Sequence, residues 1–126
     1  MQKASREDLF LTVADLELEN AKRIVKDHER AKPMALDIFQ KEEREEAIQE
    51  ADIVISMLPA SLHIEIAKDC LKFSKNMVTA SYISKEMAAL DREVKEKGLV
   101  FMNEIGVDPG IDHMSAMQVI DRIRDT

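Results

Sequence analysis

One event recurs along this chain: a short apolar run, then a polar or turn residue, then a stretch of helical periodicity. The runs are Leu9 to Ala14, Met34 to Leu36, Ile53 to Leu58, Met77 to Ala80 and Leu99 to Met102. They return about every 20 to 25 residues, the length of one strand plus one crossover helix. Between them, Leu18, Ala21, Ile24 and Val25 share a helical face, and Ile48 and Ala51 close a highly charged helix from about Glu42 to Glu50. Ser61 is placed to cap a helix carrying Ile64, Ala67, Cys70 and Leu71. Ser84 is placed to cap another, with Met87, Leu90 and Val94 on one stripe and Gly98 as its stop. A last helix from Ile111 to Arg124 spaces Met114, Met117, Ile120 and Ile123 in threes, which predicts methionines filling a core.

Strands alternating with helices predict an α/β, Rossmann-like fold, a parallel sheet with helices on both faces. In such sheets a ligand lies beyond the carboxyl ends of the strands. Asp15, Asp37, the Ser56-Met57-Leu58-Pro59 turn, Ala80-Ser81-Tyr82 and Asn103-Glu104 end the runs and are expected to line one edge.

Asp15 stands where a dinucleotide-binding fold places a carboxylate for the adenosine ribose, which would favour NAD over NADP. Its plainer role is to cap the helix beginning near Leu16. The glycine-rich turn that should precede it is absent: the three glycines are Gly98, Gly106 and Gly110, and no G-x-G-x-x-G occurs. Met1 to Ser5 reads like the last turn of a helix. The expectation is therefore one partial NAD(P)-binding domain over residues 1–126, lacking its first strand and glycine loop and cut off at both ends. The first and third strands of this count would then have no common neighbour.

Three stretches carry the chemistry: Ala51-Asp52-Ile53-Val54-Ile55-Ser56-Met57-Leu58-Pro59, Val78-Thr79-Ala80-Ser81-Tyr82-Ile83-Ser84, and Asn103-Glu104-Ile105-Gly106-Val107-Asp108-Pro109-Gly110-Ile111-Asp112-His113-Met114. Together they resemble the saccharopine dehydrogenase family, most of all its glutamate-forming type, from about Leu9 onward. The resemblance implies an NAD(P)-dependent oxidoreductase acting on the CH–NH bond of saccharopine in lysine metabolism. Hydride passes to nicotinamide C4, and water then releases glutamate and the aldehyde of 2-aminoadipate.

It also implies residue roles. Asp15 would hold the ribose, and Asp37 and Ile38 would border the adenine. Ser56, Met57, Leu58 and Pro59 would pass beside the cofactor, with Thr79, Ala80 and Ser81 near the nicotinamide ribose. Ser81, Tyr82, Asp108, Pro109, Gly110 and Ile111 would meet the substrate, a saccharopine-like amino-dicarboxylate. Tyr82, Asp108 and His113 are the catalytic candidates. Against these stand local alternatives: a capping turn at Asp108-Pro109-Gly110, a local hydrogen bond at His113, and packing or solvent contact at His63. His28 reads as surface.

The parent of such a domain is expected to be a homodimer, and the 126-residue chain alone to be inactive. Two alternatives stay open: a non-catalytic Rossmann-like remnant, and a related enzyme such as carboxynorspermidine dehydrogenase.

The remaining features narrow the function classes. A net charge of −7, with Lys and Arg interleaved with Glu, argues against nucleic acid, whose binders carry basic patches. The one cysteine, Cys70, excludes an internal disulfide and sits in an apolar setting that argues against a reactive thiol. No His/Cys/Asp cluster has metal-ligand spacing. No apolar run approaches the roughly 20 residues that span a bilayer, nor is there a signal-peptide core, so a cytoplasmic place and no membrane partner are expected.

Overall fold

A computed structural model describes residues 8–125. The helical reading of Met1 to Ser5 lies outside the described residues. The chain divides into two compact units, one ending at Ala47 and the other beginning at Ile48.

In the first unit, β1 (Leu11–Asp15) and β2 (Ala31–Ala35) pair in parallel, Leu11 opposite Ala31 and Asp15 opposite Ala35. The crossover between them is α1 (Leu18–Val25). Of its four apolar residues only Ala21 and Val25 are buried, while Leu18 and Ile24 stay exposed. Pro33 lies within β2, which among the described residues pairs with β1 alone; a residue with no N–H to donate suits a strand at a sheet edge. Next comes α2 (Lys41–Glu50).

In the second unit, β3 (Ile53–Ser56), β4 (Asn76–Thr79) and β5 (Phe101–Met102) form a parallel sheet in that order. The register sets Val54 opposite Met77 and Ser56 opposite Thr79. A 3-10 turn at Ala60–Leu62 leads into α3 (His63–Lys72), which covers that face of the sheet. The core is Ile66, Ala67, Cys70, Leu71 and Met77, each no more than 5% exposed. On the opposite face Ile53, Ile55 and Met102 remain exposed.

The strand and helix pattern is that of the expected α/β, Rossmann-like class, and α6 (Ile111–Arg124) has the bounds read from the sequence. Among the described residues β1 and β3 share no neighbour, so the strands stand as two sheets, as expected.

Three local expectations are corrected. Ser61 caps nothing: it sits inside the 3-10 turn, and α3 starts without a side-chain cap. The helix expected from Ser84 to Gly98 breaks at Leu90 into α4 (Lys85–Ala89) and α5 (Asp91–Glu96). Its ends are as read, with Ser84 Oγ accepting from Met87 N–H at 3.1 Å and Gly98 at φ +66°. Finally, α6 buries none of its residues. Met114 and Met117 are 58% and 48% exposed, so the methionines fill no core among the described residues.

Candidate functional site

Parallel pairing brings the carboxyl ends of neighbouring strands to one edge of each sheet. In the first unit those ends are Asp15 and, past β2, Asp37 and Ile38. Asp15 Oδ1 accepts from Glu17 N–H at 2.9 Å and from the Asn20 side chain at 3.0 Å. Those two bonds, with a smaller contribution from the Arg23 charge, hold its carboxyl below the usual aspartate range against a slight desolvation cost. Asn20 in turn accepts a hydrogen bond from Arg23. Asp15 does not cap α1: the helix begins at Leu18 with Glu17 at its N-cap and no side-chain cap bond, so Asp15 closes a turn just ahead of that cap. Asp37 does the same locally, accepting from Phe39 N–H at 2.9 Å, while the Ile38 carbonyl accepts from Arg44.

The second unit holds a denser arrangement. His63, 3% exposed at the start of α3, sits between the ends of β3 and β4. Its Nδ1 lies 2.8 Å from Ser56 Oγ. Its Nε2 lies 2.8 Å from Ser81 Oγ and 3.1 Å from Thr79 Oγ1. Burial disfavours the charged imidazole and lowers its pKa. Ser56 and Thr79 are buried as well, while Ser81 keeps partial exposure. Neither packing alone nor solvent contact describes His63. Its signal in the sequence was its place four residues after Pro59, in the first turn behind a polar strand end.

One residue past Ser81, Tyr82 donates its hydroxyl proton to Asp108 Oδ1 at 2.8 Å. That bond, aided by the charges of Asp108, Asp112 and Glu104, raises the Tyr82 pKa. Asp112 Oδ1 lies 2.8 Å from His113 Nδ1 and accepts from Gly110 N–H at 2.9 Å. Asp108, Asp112 and His113 have ligand-type atoms all within 4.8 Å of one another, on exposed side chains. The three catalytic candidates Tyr82, Asp108 and His113 therefore belong to one cluster.

Backbone geometry builds the loop beneath them. Pro109 and Gly110 are buried, and Gly106 N–H donates to the Pro109 carbonyl at 2.9 Å. Ile111 N–H and Asp112 N–H donate to the Gly106 and Val107 carbonyls. Those two amides at the start of α6 are thereby taken by backbone carbonyls and are not free for an anion. Glu104 takes a left-handed φ of 62°, and its Oε1 accepts from Ile83 N–H. Beside it, Asn103 Oδ1 is the one buried side-chain oxygen or nitrogen without a partner among the described residues. Sequence reading marked Asn103 only as a strand end.

Comparison with known proteins decides the lineage: the family described as saccharopine dehydrogenase NADP binding domain matches residues 1–102. The chain belongs to the saccharopine dehydrogenase family. Within that family it is 39% identical over 114 residues to alpha-aminoadipic semialdehyde synthase of Arabidopsis thaliana, covering 90% of this chain and 11% of that one. It is 35% identical over 120 residues to the saccharopine dehydrogenase (NADP(+), L-glutamate-forming) of Saccharomyces cerevisiae, covering 95% of this chain and 27% of that one.

The solved structure of apo histidine-tagged saccharopine dehydrogenase (L-Glu forming) from Saccharomyces cerevisiae superposes with a TM-score of 0.84. It is 34% identical and covers 97% of this chain and 27% of that one. The chain thus spans about a quarter or less of the length of these relatives. Their family ties it to a nicotinamide cofactor. The names that state the cofactor print NADP, so the preference for NAD drawn from Asp15 gains no support. Among the described residues no helix is long and apolar enough to cross a membrane.

Proposed function

We propose that this chain forms the nicotinamide-side wall of an NADP(H)-dependent oxidoreductase that acts on the CH–NH bond of saccharopine in lysine metabolism. The observation that carries the reading is the cluster of Tyr82, Asp108 and His113, which begins one residue beyond the Ser56–His63–Ser81 network. The relatives' names supply the substrate and the cofactor.

The residues present fit the nicotinamide half of such a cofactor. Polar strand ends Ser56, Thr79 and Ser81 gather at one sheet edge, and the Asn103 carbonyl oxygen lacks a donor. The pyrophosphate is another matter, since the sequence holds no G-x-G-x-x-G. When bound, the nicotinamide accepts the hydride from the carbon beside saccharopine's secondary amine.

In this reading the backbone of Ser56 to Pro59 and of Thr79 to Ser81 borders the nicotinamide half of the cofactor; in the first unit, taken by itself, Asp15, Asp37 and Ile38 are the candidates for an adenosine group. Asp108, Pro109, Gly110 and Ile111, with Ser81 and Tyr82, shape the substrate's floor. Tyr82 keeps its proton, because its hydroxyl donates a hydrogen bond to the Asp108 carboxylate and its pKa is raised, and so offers a fixed dipole to the substrate. His113, with Nδ1 turned to Asp112, leaves Nε2 to take the proton that the amine loses on oxidation. Water adds to the resulting imine and releases glutamate and 2-aminoadipate semialdehyde.

Asp15 does not stand against NADP in this scheme. Its carboxylate is engaged by Glu17 and Asn20, and Arg23, bonded to Asn20, offers a guanidinium for a 2′-phosphate. A homodimeric, cytoplasmic parent belongs to the same proposal.

Two measurements test it. Amide spectra of the chain titrated with NADPH should show weak binding, with a dissociation constant on the order of 1 mM, and shifts centred on Ser56 to Pro59 and Thr79 to Ser81. Shifts elsewhere, or none, would refute the placement. The polypeptide encoded by the whole reading frame should form NADPH from saccharopine, and a preference for carboxynorspermidine would replace the substrate. A silent enzyme whose frame lacks a glycine-rich turn would favour the non-catalytic remnant.

A further inference from the structure

We propose that Glu104 is a positioning residue: its main-chain N–H and its side-chain carboxylate grip the Ser81-Tyr82-Ile83 segment at two points and hold the Tyr82 hydroxyl against Asp108. This rests on the reading of Tyr82 and Asp108 as part of the substrate's floor, and adds to it the residue that keeps them together.

Little else holds that segment. β4 ends at Thr79 and α4 begins at Lys85, and residues 81–84 belong to no helix or strand. Packing does not fix them, since Tyr82 is 61% exposed and Ile83 51%. Backbone of this kind keeps one shape only where hydrogen bonds offset the conformational freedom it gives up. Glu104 makes two such bonds. Its N–H donates to the Ser81 carbonyl at 3.0 Å, and its Oε1 accepts from Ile83 N–H at 3.2 Å. Tyr82 lies between the two gripped positions, and its hydroxyl donates to Asp108 Oδ1 at 2.8 Å. A third bond, Ser81 N–H to Thr79 Oγ1 at 3.3 Å, acts ahead of Tyr82 and leaves Ile83 untouched.

The backbone of Glu104 points the same way. Its φ of 62° is left-handed, a conformation that costs any residue with a Cβ and suits glycine or asparagine better. Glycine would make the same main-chain bond to Ser81 without strain. What glycine lacks is the carboxylate that reaches Ile83, and asparagine is a methylene shorter. The strain is thus tied to the one bond that needs this side chain.

The 126-residue chain has one tyrosine and no tryptophan, so tyrosinate absorbance reports Tyr82 alone. The bond to Asp108 comes first in raising its pKa above the ordinary 10.0, and the charges of Asp108, Asp112 and Glu104 add to it. Glu104→Gln removes one charge but leaves an amide oxygen for Ile83 N–H. Tyr82 should then still titrate above its ordinary value, with Ile83 amide exchange within about threefold of the unaltered chain. Glu104→Gly removes the same charge and the grip as well. Tyr82 should titrate lower than in Glu104→Gln, towards its value in Asp108→Asn, and the Ile83 amide should exchange about tenfold faster. Glu104→Asn should behave like Glu104→Gly, and decides the matter if the glycine chain does not fold.

Tyr82 titrating alike in the glutamine and glycine chains overturns the proposal, whether both keep the raised value or both lose it to the missing charge. In the polypeptide encoded by the whole reading frame, Glu104→Gly should lower kcat/KM for saccharopine about tenfold, and Glu104→Gln by less than about threefold. A difference in titration with no difference in kcat/KM overturns the positioning role, by way of the substrate-floor reading beneath it. A whole-frame enzyme silent on saccharopine refutes the proposed function, while the Tyr82 titration still judges the grip of Glu104 on its own.

Discussion

Gly110 offers the sharpest test of the loop that carries Asp108. Replacing it by alanine would place a Cβ 2.2 Å from the Gly106 carbonyl oxygen, with the Gly106 N and C at 2.6 and 2.8 Å. That is more than about 1 Å inside ordinary contact, where attraction has turned to steep repulsion. The obstructing atoms are backbone, so no side chain can swing away. Relief requires parting the segments joined by Gly106 N–H to the Pro109 carbonyl and Ile111 N–H to the Gly106 carbonyl, both 2.9 Å.

Each of those bonds is worth about 1 kcal/mol net, and the φ of 147° adds strain of about 1–3 kcal/mol for a residue with a Cβ. Gly110→Ala should therefore lose about 3–5 kcal/mol, a large share of the stability of a small domain. Gly98→Ala is the control, since φ is +66° there and nothing lies within 4 Å of the added carbon. It should lose only about 1 kcal/mol. Urea unfolding followed at the Ile111 and Asp112 amides would report both. A Gly110→Ala protein no less stable than Gly98→Ala would show the Gly106–Gly110 contact to be wrong.

Other consequences follow from the core and from burial. Met77→Ala, at a position 1% exposed in the central strand of the second sheet, should lower stability by about 2–5 kcal/mol in the same urea assay; a loss below about 1 kcal/mol would place Met77 outside the core. His63 has a lowered folded pKa, so below its ordinary value of 6.5 the unfolded chain binds the extra proton. Stability should be full above that pH and fall as acid is added, and His63→Gln should flatten this part of the profile; an unchanged profile would contradict the burial. The Cys70 thiol, fully buried, is pushed up to about 12 by desolvation and by the Asp69 charge. A disulfide reagent should label it only as fast as the second unit opens, and immediate labelling would refute that packing.

The alternation of runs and helices marked α6 and a strand at or beside every run, although β2 begins three residues before the run from Met34 to Leu36. What the periods omit is the partner. Met114, Met117, Ile120 and Ile123 satisfy a core stripe, yet α6 has no buried residue among the described ones. A pattern says which face is apolar, not whether anything lies against it. The break at Leu90 and the uncapped start at Leu62 depend on backbone angles that propensity does not specify. His63 was passed over because its partners Thr79 and Ser81 lie 16 and 18 residues away and meet it only once β3 and β4 pair. The left-handed Glu104 left no mark in the sequence at all. Tyr82, Asp108 and His113 were named through the family resemblance and not through proximity, since Tyr82 and Asp108 lie 26 residues apart.

Ile53 and Ile55 end up in water on a strand that, among the described residues, is laddered on one flank only. Such a strand is a template, and the most abundant thing able to copy it in a purified sample is another molecule of the same chain. Behaviour on the bench should thus depend on how crowded the tube is: clear and monodisperse when dilute, turbid when concentrated and left to stand. Lysine in place of Ile55, which the buried face would never notice, is the cheapest way to keep it in solution.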